Sequence, residues 1–353
     1  NTLSESVNIQ VIDNDFQRSV DGNQTKLPSD GNNHIIYDLS TSTNNYYYTN
    51  NNNNPLAYNN MPFYDLGDGE DKLTISSGMQ NAHKDKYIWF EGGSGDDTIE
   101  YTHFADGGSG DDTITASTLQ GNTDKSNITG NNYVITNDAS KYSLLFGGSG
   151  DDTITGDQYA DTLIGGTGDD ILTGNAGDDE IYGFGRYDNL LSLSDNDIID
   201  GGDGDDILTD GLGLDILDGG DGIDTFKRDF SSDYDDYLFT VHVNLVDGTL
   251  TSPEYPDIDP DLIRNIENVE LEGRFNYQIT GDDNANILST GDGDDIIDGG
   301  DGDDIIDGGD GDDDISTGLG ADVVYALAGN DTITLTADST WGTGYRATNV
   351  SND

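Results

Sequence analysis

The sequence GGDGDDILT at residues 201–209 and its near copy GGDGDDIID at residues 299–307 decide how this chain folds. Both follow one nine-residue pattern, Gly-Gly-x-Gly-x-Asp-x-U-x, in which U is a large aliphatic residue. Rows of nine laid out from residue 147 keep this register without a gap to residue 227, and a second block keeps it over residues 272–334. Self-similarity at a short fixed period predicts a repeat architecture, in which each repeat buries its apolar face by stacking on its neighbours.

The sixth position of the row is aspartate throughout the first block and in most of the second. Isolated copies of the row at residues 66–74, 92–100 and 107–115 carry the same aspartate. The first two rows of the second block have Tyr277 and Asn286 there instead, which favours a cap that binds metal incompletely. The position-six aspartates are Asp71, Asp97, Asp112, Asp152, Asp161, Asp170, Asp179, Asp188, Asp197, Asp206, Asp215, Asp224, Asp295, Asp304, Asp313, Asp322 and Asp331.

The glycines and the aspartate together predict a calcium site in each turn. Glycine permits a positive φ and a tight turn whose carbonyls point at one centre, and the aspartate adds a charged hard oxygen. Two rows make one coil, so Asp152 stacks with Asp170 on one edge and Asp161 with Asp179 on the other. The predicted fold is therefore an all-β, calcium-bound parallel β-roll, with an elaborated N-terminal region and an inserted β segment, that binds several calcium ions.

Composition makes bound cations a condition of folding. Only 32% of the 353 residues are hydrophobic, and 71 acidic residues against 13 basic ones give a formal net charge of −58. Carboxylates on coils ~4.8 Å apart repel by about 3 kcal/mol at an effective dielectric of ~20. Folding should therefore be coupled to calcium, with an affinity of about 10⁻⁴–10⁻³ M. The charge excludes nucleic acid as a partner, and no apolar run predicts membrane insertion.

The repeat register divides the chain into six segments. Between the two blocks, alternating residues such as Val241, Val243 and Leu245 predict strands that pack on the roll. Residue 1 follows no signal-peptide core, so we expect a fragment of a longer protein, monomeric in this form. The segments are 1–15, the tail of a preceding β-sandwich or a linker; 16–146, an elaborated, partly irregular β region with isolated repeats; 147–227, the first roll block; 228–271, the inserted β segment; 272–334, the second roll block; and 335–353, a C-terminal cap or tail.

These rows resemble the RTX (repeats-in-toxin) proteins over somewhat under half of the chain. The resemblance implies that the position-six aspartates ligate calcium wherever a row has one. It also implies type I secretion from a Gram-negative bacterium, folding outside the cell at higher calcium, and an extracellular or cell-surface location. ESVNIQVIDND at residues 5–15 resembles the tail of the tandem sandwich domains of very large RTX adhesins, whose ligand-binding modules precede the C-terminal repeats. The chain thus most resembles the ligand-binding and repeat region of such an adhesin, which implies roles in cell adhesion and biofilms.

The sequence offers no motif for the enzymes of this family, and we expect no catalytic activity. A zinc protease of the serralysin type needs His-Glu-x-x-His, whereas the four histidines are scattered. A lipase needs Gly-x-Ser-x-Gly, whereas the serines of Gly-Gly-Ser-Gly-Asp stand at repeat position three. Position three also lacks the regular Thr and Asn array that ice binding requires. The histidines are His34, His83, His103 and His242, and the turn serines are Ser94, Ser109 and Ser149.

The irregular N-terminal region holds the candidate ligand site. Residues 44–60 are mostly Asn and Tyr, which supply adaptable hydrogen bonds and rigid stacking surfaces for a peptide or glycan. The candidate residues are Tyr46, Tyr47, Tyr48, Tyr58 and Trp89. The expected partner is a surface peptide or glycan on host, algal or neighbouring bacterial cells. Three alternatives stay open: packing of these aromatics against the roll, a passive folding and secretion roll without its own ligand, and a hydrolase domain of an RTX exoprotein.

One further acidic run lies outside the repeats. Asp257, Asp259 and Asp261 alternate like the start of a calcium loop. Leu262, however, occupies the place where an EF-hand needs glycine for its turn, so the run departs from that motif and a further ion here stays an open alternative.

Overall fold

The computed structural model describes residues 9–11, 34–37, 63–70, 72–75, 89–102, 104–116, 128–129, 134–135, 143–184, 195–211, 213–229, 240–251, 261–336 and 346–347. Over these residues the regular structure is entirely β-strand, with turns between, which confirms the predicted all-β parallel roll. None of them forms a helix able to cross a membrane. The chain divides into two compact units, residues 1–187 and 188–353.

The described residues of the first unit form fifteen strands, most of them in two parallel sheets. One sheet has the order β1-β2-β4-β6-β8-β12-β14 and the other β3-β5-β7-β11-β13-β15, while β9 and β10 pair with each other. Among these described strands, only the pairs β1–β2 and β9–β10 are antiparallel. The strands are β1 (Ile9–Val11), β2 (His34–Tyr37), β3 (Phe63–Asp68), β4 (Lys72–Ile75), β5 (Trp89–Ser94), β6 (Thr98–Thr102), β7 (Phe104–Ser109), β8 (Thr113–Ala116), β9 (Ile128–Thr129), β10 (Val134–Ile135), β11 (Leu144–Ser149), β12 (Thr153–Thr155), β13 (Thr162–Thr167), β14 (Ile171–Ala176) and β15 (Glu180–Phe184).

In the repeat rows the core is formed mainly by the large apolar residue at position eight. Successive strands along the chain enter alternate sheets, so the position-eight residues of the rows face one another inside the roll. Leu145 pairs with Leu163 in one sheet, and Ile154 pairs with Leu172 in the other; all four are fully buried. This interior is thin, so each coil depends on the coils beside it.

The register of the first unit's roll continues between coils that are separated by different lengths of sequence. The amide of Asp112 donates to Asp152 Oδ1 across 40 residues of sequence, whereas regular neighbours such as Asp152 and Asp170 are 18 apart. Strands β7 and β11 still pair in parallel, with Gly108 opposite Gly148. The isolated rows at 92–100 and 107–115 therefore lie in the same stack as the repeat rows at 147–182.

In the part of the second unit that the structure describes there are sixteen strands, again in two sheets. Their orders within the unit are β16-β18-β22-β21-β20-β24-β26-β28-β30 and β17-β19-β23-β25-β27-β29-β31. The strands are β16 (Ile198–Asp203), β17 (Ile207–Thr209), β18 (Ile216–Asp221), β19 (Thr225–Asp229), β20 (Thr240–Asn244), β21 (Thr249–Thr251), β22 (Asp261–Arg264), β23 (Asn268–Glu272), β24 (Asn276–Thr280), β25 (Ile287–Ser289), β26 (Ile296–Asp298), β27 (Ile305–Asp307), β28 (Asp314–Ser316), β29 (Val323–Tyr325), β30 (Thr332–Thr334) and β31 (Arg346–Ala347).

The inserted segment joins the roll, whereas its alternating sequence led us to expect strands packed on the outside. Strand β22 pairs in parallel with β18, placing Ile263 opposite Leu217, and β23 pairs in parallel with β19. Between β22 and β24 the antiparallel strands β21 and β20 complete the sheet. Val243 and Leu250 are buried like the position-eight residues. Pairing inside the sheet satisfies the backbone groups of these strands and buries their apolar side chains together.

Glycine at the second row position is required by the stacking of turns. Gly148 has φ +118°, and a Cβ there would lie 2.2 Å from the carbonyl oxygen of Gly108 in the neighbouring coil. Real Cβ atoms do not approach backbone that closely, and the left-handed conformation itself costs a non-glycine residue about 1–3 kcal/mol. The turns can therefore stack at strand spacing only because these positions lack side chains.

This requirement gives a first prediction. Gly148→Ala should destabilise the calcium-bound roll by about 1–3 kcal/mol or more, through the strained φ and the contact with Gly108. Urea unfolding in saturating calcium measures the change. Ser149→Ala, which alters an exposed side chain at the next position, is the matched control and should leave the midpoint unchanged. Equal stability of the two variants would contradict the stacking argument.

Candidate metal centre

The described position-six aspartates link neighbouring coils through their backbone and side chains, as Asp152 illustrates. The amide of Asp152 donates to Asp170 Oδ1 at 2.8 Å, while the carbonyl oxygen of Asp152 accepts the amide of Ile171 at 2.8 Å. The same amide-to-carboxylate contact joins Asp206 to Asp224 at 2.8 Å. One oxygen of the accepting carboxylate is therefore used to hold the stack together.

In six of these aspartates the second carboxylate oxygen is buried with no hydrogen-bond donor. Their Oδ2 atoms each have less than 1 Å² of exposed surface. A buried charged oxygen with no donor costs several kcal/mol unless a cation lies beside it. The arrangement therefore points to a bound cation at these turns. The six aspartates are Asp112, Asp152, Asp224, Asp304, Asp313 and Asp322.

The Oδ2 atom lies over the first glycine of its own row. A Cβ on Gly147 would lie 2.2 Å from Asp152 Oδ2 and 2.6 Å from the carbonyl oxygen of Gly165. Glycine at position one thus leaves space for the carboxylate beside backbone carbonyls. Carboxylate and carbonyl oxygens are the ligands that calcium prefers, so these residues fit calcium. The position-six aspartates would hold it with their Oδ2 atoms, and the ion would supply the positive charge that the turns lack.

The electrostatics of the metal-free stack point the same way. Burial raises the pKa of Asp112 to about 8, and the charges of Asp152 and Asp97 add to the rise. Burial likewise raises the pKa of Asp152 to about 7 and that of Asp304 to about 7. Amide donors from neighbouring coils oppose this effect without cancelling it. Without a cation the stack would hold protons on these carboxyl groups at neutral pH.

Comparison with known families agrees with this donor set. A family model described as RTX calcium-binding nonapeptide repeat (4 copies) matches residues 104–122, 144–158, 155–183, 193–226, 280–315 and 307–339. The repeat region is RTX. The RTX repeats of this chain bind multiple calcium ions. A search of curated proteins found no match.

The structure brings the predicted ligands of these RTX repeats into stacks within each unit. All the described position-six aspartates are buried except Asp331, which is partly exposed and accepts the amide of Asp313 at 3.2 Å. Asp71 and Asp188 lie outside the described residues. Among the candidate ligand-binding residues, Trp89 begins strand β5. Outside the described residues are Tyr46, Tyr47, Tyr48 and Tyr58.

Tyr277 and Asn286 stand inside the stack, although the sequence favoured a cap. The amide of Tyr277 donates to Asp295 Oδ1 at 2.7 Å, and the amide of Asn286 donates to Asp304 Oδ1 at 2.9 Å. Strands β24 and β25 have neighbours on both sides, so these rows do not end the roll. The backbone amides of these two residues therefore continue the hydrogen-bond pattern, while their neutral side chains add no carboxylate.

Exposed residues at row position five form a second ladder of amide-to-carboxylate hydrogen bonds, which the sequence analysis did not predict. The amide of Asp151 donates to Asp111 Oδ1 at 3.0 Å, and the amide of Asp169 donates to Asp151 Oδ1 at 2.9 Å. In the second block the amide of Asp312 donates to Asp294 Oδ1 at 2.9 Å. Position five is Asp or Asn in many rows, and this bias was the available signal. The outer ladder satisfies a turn amide that would otherwise face solvent.

The raised pKa values predict opposite effects of pH with and without calcium. The pKa of Asp112 is about 8 in the fold against an ordinary 3.8, so the metal-free fold holds protons that the unfolded chain releases. The metal-free roll should thus be most stable below about pH 4 and lose stability as the pH rises towards 8. Calcium must displace these protons, so the calcium midpoint should rise as pH falls, by up to about tenfold per pH unit for each proton displaced per ion.

Circular dichroism at pH 5, 6, 7 and 8 measures both trends, with calcium titrated at each pH. Magnesium at equal ionic strength controls for screening. A calcium midpoint that is the same at all four pH values would show that the buried carboxyl groups are not what the ion binds.

Proposed function

We propose that this chain is the calcium-folded module of an exported bacterial adhesin, which folds outside the cell and binds a peptide or glycan on a target surface. The observation that supports it is that the stacking register of the roll is kept where 40 residues, instead of 18, separate neighbouring position-six aspartates, as between Asp112 and Asp152. A rigid stack that carries long segments between its coils is suited to display binding loops.

Calcium dependence suits a protein that must leave the cell unfolded. With a formal charge of −58 and buried stacks of carboxylates, the chain should not fold where calcium is scarce. At millimolar calcium the same stacks become its source of stability. Type I secretion and an extracellular or cell-surface location accord with this behaviour, and RTX repeats are typical of such proteins.

The displayed segments supply the proposed adhesive surface. Residues 44–60 combine tyrosine with many asparagines, the side chains that antibody paratopes use for rigid stacking and adaptable hydrogen bonds. They lie between β2 and β3 of the first unit, so the roll anchors both ends of the segment. We propose binding rather than catalysis for this region, since the sequence holds neither enzyme motif of the family. A passive secretion roll is the alternative that a binding experiment tests.

The calcium part of the proposal predicts a cooperative folding transition. Titration of the metal-free chain with calcium should convert a coil spectrum into a β spectrum by circular dichroism, at millimolar calcium or lower, and chelator should reverse it. Magnesium should not substitute at equal concentration, because it keeps its waters and demands a smaller octahedral site. A chain that is fully folded in chelator would show that folding does not require calcium and would contradict the proposal.

The adhesive part predicts a loss of binding that leaves the fold intact. Replacing Tyr46, Tyr47 and Tyr48 together by alanine should lower binding to glycan arrays, peptide arrays or cells about tenfold or more, while the calcium transition stays unchanged. Tyr325→Ala, at an exposed tyrosine of strand β29, is the matched control. Unchanged binding by the triple variant would refute this site, and absence of calcium-dependent binding by the unaltered chain would favour a passive roll.

A further inference from the structure

A cluster of four buried charged residues lies in the second unit where the inserted segment leaves and re-enters the roll. Arg228, near the end of β19, is the first residue of the inserted segment, and Asp261, which begins β22, lies within that segment. Asp210 and Asp215 belong to the preceding coil. Arg228 is 2% exposed, and Asp210, Asp215 and Asp261 are at most 1% exposed.

The cluster replaces two glycines of the repeat pattern. Position one is glycine in the standard row because the position-six carboxylate lies over it, as Asp206 Oδ2 would lie 2.4 Å from a Cβ on Gly201. In the row at 210–218 this position is Asp210, and the equivalent place one coil later, 18 residues on, is Arg228. An acid and a base therefore occupy positions where the repeat ordinarily has no side chain.

Arg228 binds only part of the negative charge around it. Its Nε donates to Asp210 Oδ1 at 2.8 Å, and its Nη2 donates to Asp210 Oδ1 and to the carbonyl oxygen of Gly211. Nη2 lies 3.7 Å from Asp261 Oδ2, and the guanidinium carbon lies 5.7 Å from the centre of the Phe226 ring. Three carboxylates and one guanidinium leave a formal charge of −2 in a buried place.

Three carboxylate oxygens converge beside the guanidinium. One ligand atom each from Asp210, Asp215 and Asp261 lies within 4.8 Å of the other two. The Oδ2 atoms of all three are buried and accept no hydrogen bond from a donor group. Calcium–oxygen distances of ~2.3–2.6 Å place two ligands at most about 5 Å apart across the ion, so this triangle has the size of a calcium site.

The surroundings make an empty, fully charged cluster costly. Asp210, Asp215 and Asp261 are each at most 1% exposed, so little solvent screens the repulsion between their charges. One divalent cation would cancel the formal charge of −2 that Arg228 leaves. A buried ion set is stable only when its charges are paired in this way.

We propose that Asp210, Asp215 and Asp261 hold one calcium ion in place of the ordinary turn ion of the row at 210–218, with Arg228 fixing Asp210, and that this ion ties the inserted segment to the roll. The site differs from the turn sites in its ligands, since Asp210 takes a glycine position and Asp261 lies in the insertion. The nearby RTX match ends at residue 226 and resumes at 280, so Arg228 and Asp261 lie beyond it. Asp261, which stands in a run that resembles the start of a calcium loop, serves here in another geometry.

The test removes the ligand that the inserted segment supplies. Asp261→Asn keeps the size of the side chain and the acceptor for the Asp215 amide, so a chain in which Asp261 binds no ion should bind as many ions as before. We expect one ion fewer, counted by native mass spectrometry and by equilibrium dialysis with calcium. Asp221→Asn, the same change at an exposed position-three aspartate in the next row, is the matched control and should leave the count unchanged.

A second variant separates loss of this site from loss of folding. Asp210→Gly with Arg228→Gly restores both glycines, so no unpaired guanidinium remains and the row regains an ordinary turn site. It should show the full calcium transition and bind as many ions as the unaltered chain, whereas hydrogen exchange should show lost protection over residues 240–251 while the repeats at 287–325 stay protected. An unchanged ion count in Asp261→Asn, or unchanged protection of 240–251 in the double variant, would overturn the proposal.

Discussion

The buried carboxylate at the sixth row position is the group on which the rest of the structure depends. One of its oxygens accepts an amide from the neighbouring coil, as Asp170 accepts from Asp152. In Asp152, Asp112, Asp224, Asp304, Asp313 and Asp322 the other oxygen is buried with no hydrogen-bond donor. In Asp152 it lies beside the glycine turn of its own row. The first contact sets the spacing of the coils, and the second makes that spacing unfavourable until a cation arrives. The glycine turns, the thin core and the calcium dependence all follow from these different roles of the two carboxylate oxygens.

The period of nine was enough to predict the fold, because it fixes both what is buried and where the turns come. Leu163 and Leu172 lie where the row places them, each on its own sheet of one roll. What the period could not supply was the route of the chain wherever a coil is longer or shorter than 18 residues. The link from Asp97 to Asp112 spans 15 residues and the link from Asp112 to Asp152 spans 40, and neither departure can be read from spacing alone.

The same limit applies to the site residues. Position-six aspartates could be named from the row, but the residues that continue their stacks into the insertion lie out of register. Glu267 accepts the amide of Asp224 at 2.9 Å, and Asp261 accepts that of Asp215 at 3.0 Å. Alternation of apolar residues indicated strands in the insertion but not their partners, since an alternating strand fits the inside of a roll as well as a face packed upon it. In the sequence, Asp210 and Arg228 look like two unrelated departures from the glycine at row position one. Only their contact in the structure shows that they belong to one cluster.

The amide-to-carboxylate hydrogen bonds form an inner ladder at row position six and an outer ladder at row position five. The two ladders run in opposite directions along the roll, and this decides where the roll loses structure first. In the inner ladder the earlier coil donates to the later one, from Asp152 to Asp170; in the outer ladder the later coil donates to the earlier, from Asp169 to Asp151. An interior coil is thus fastened to both neighbours twice, whereas a terminal coil is fastened on one face only. Loss of structure should begin by fraying at the ends of the stack, and a gap opened in the middle should close again before it spreads.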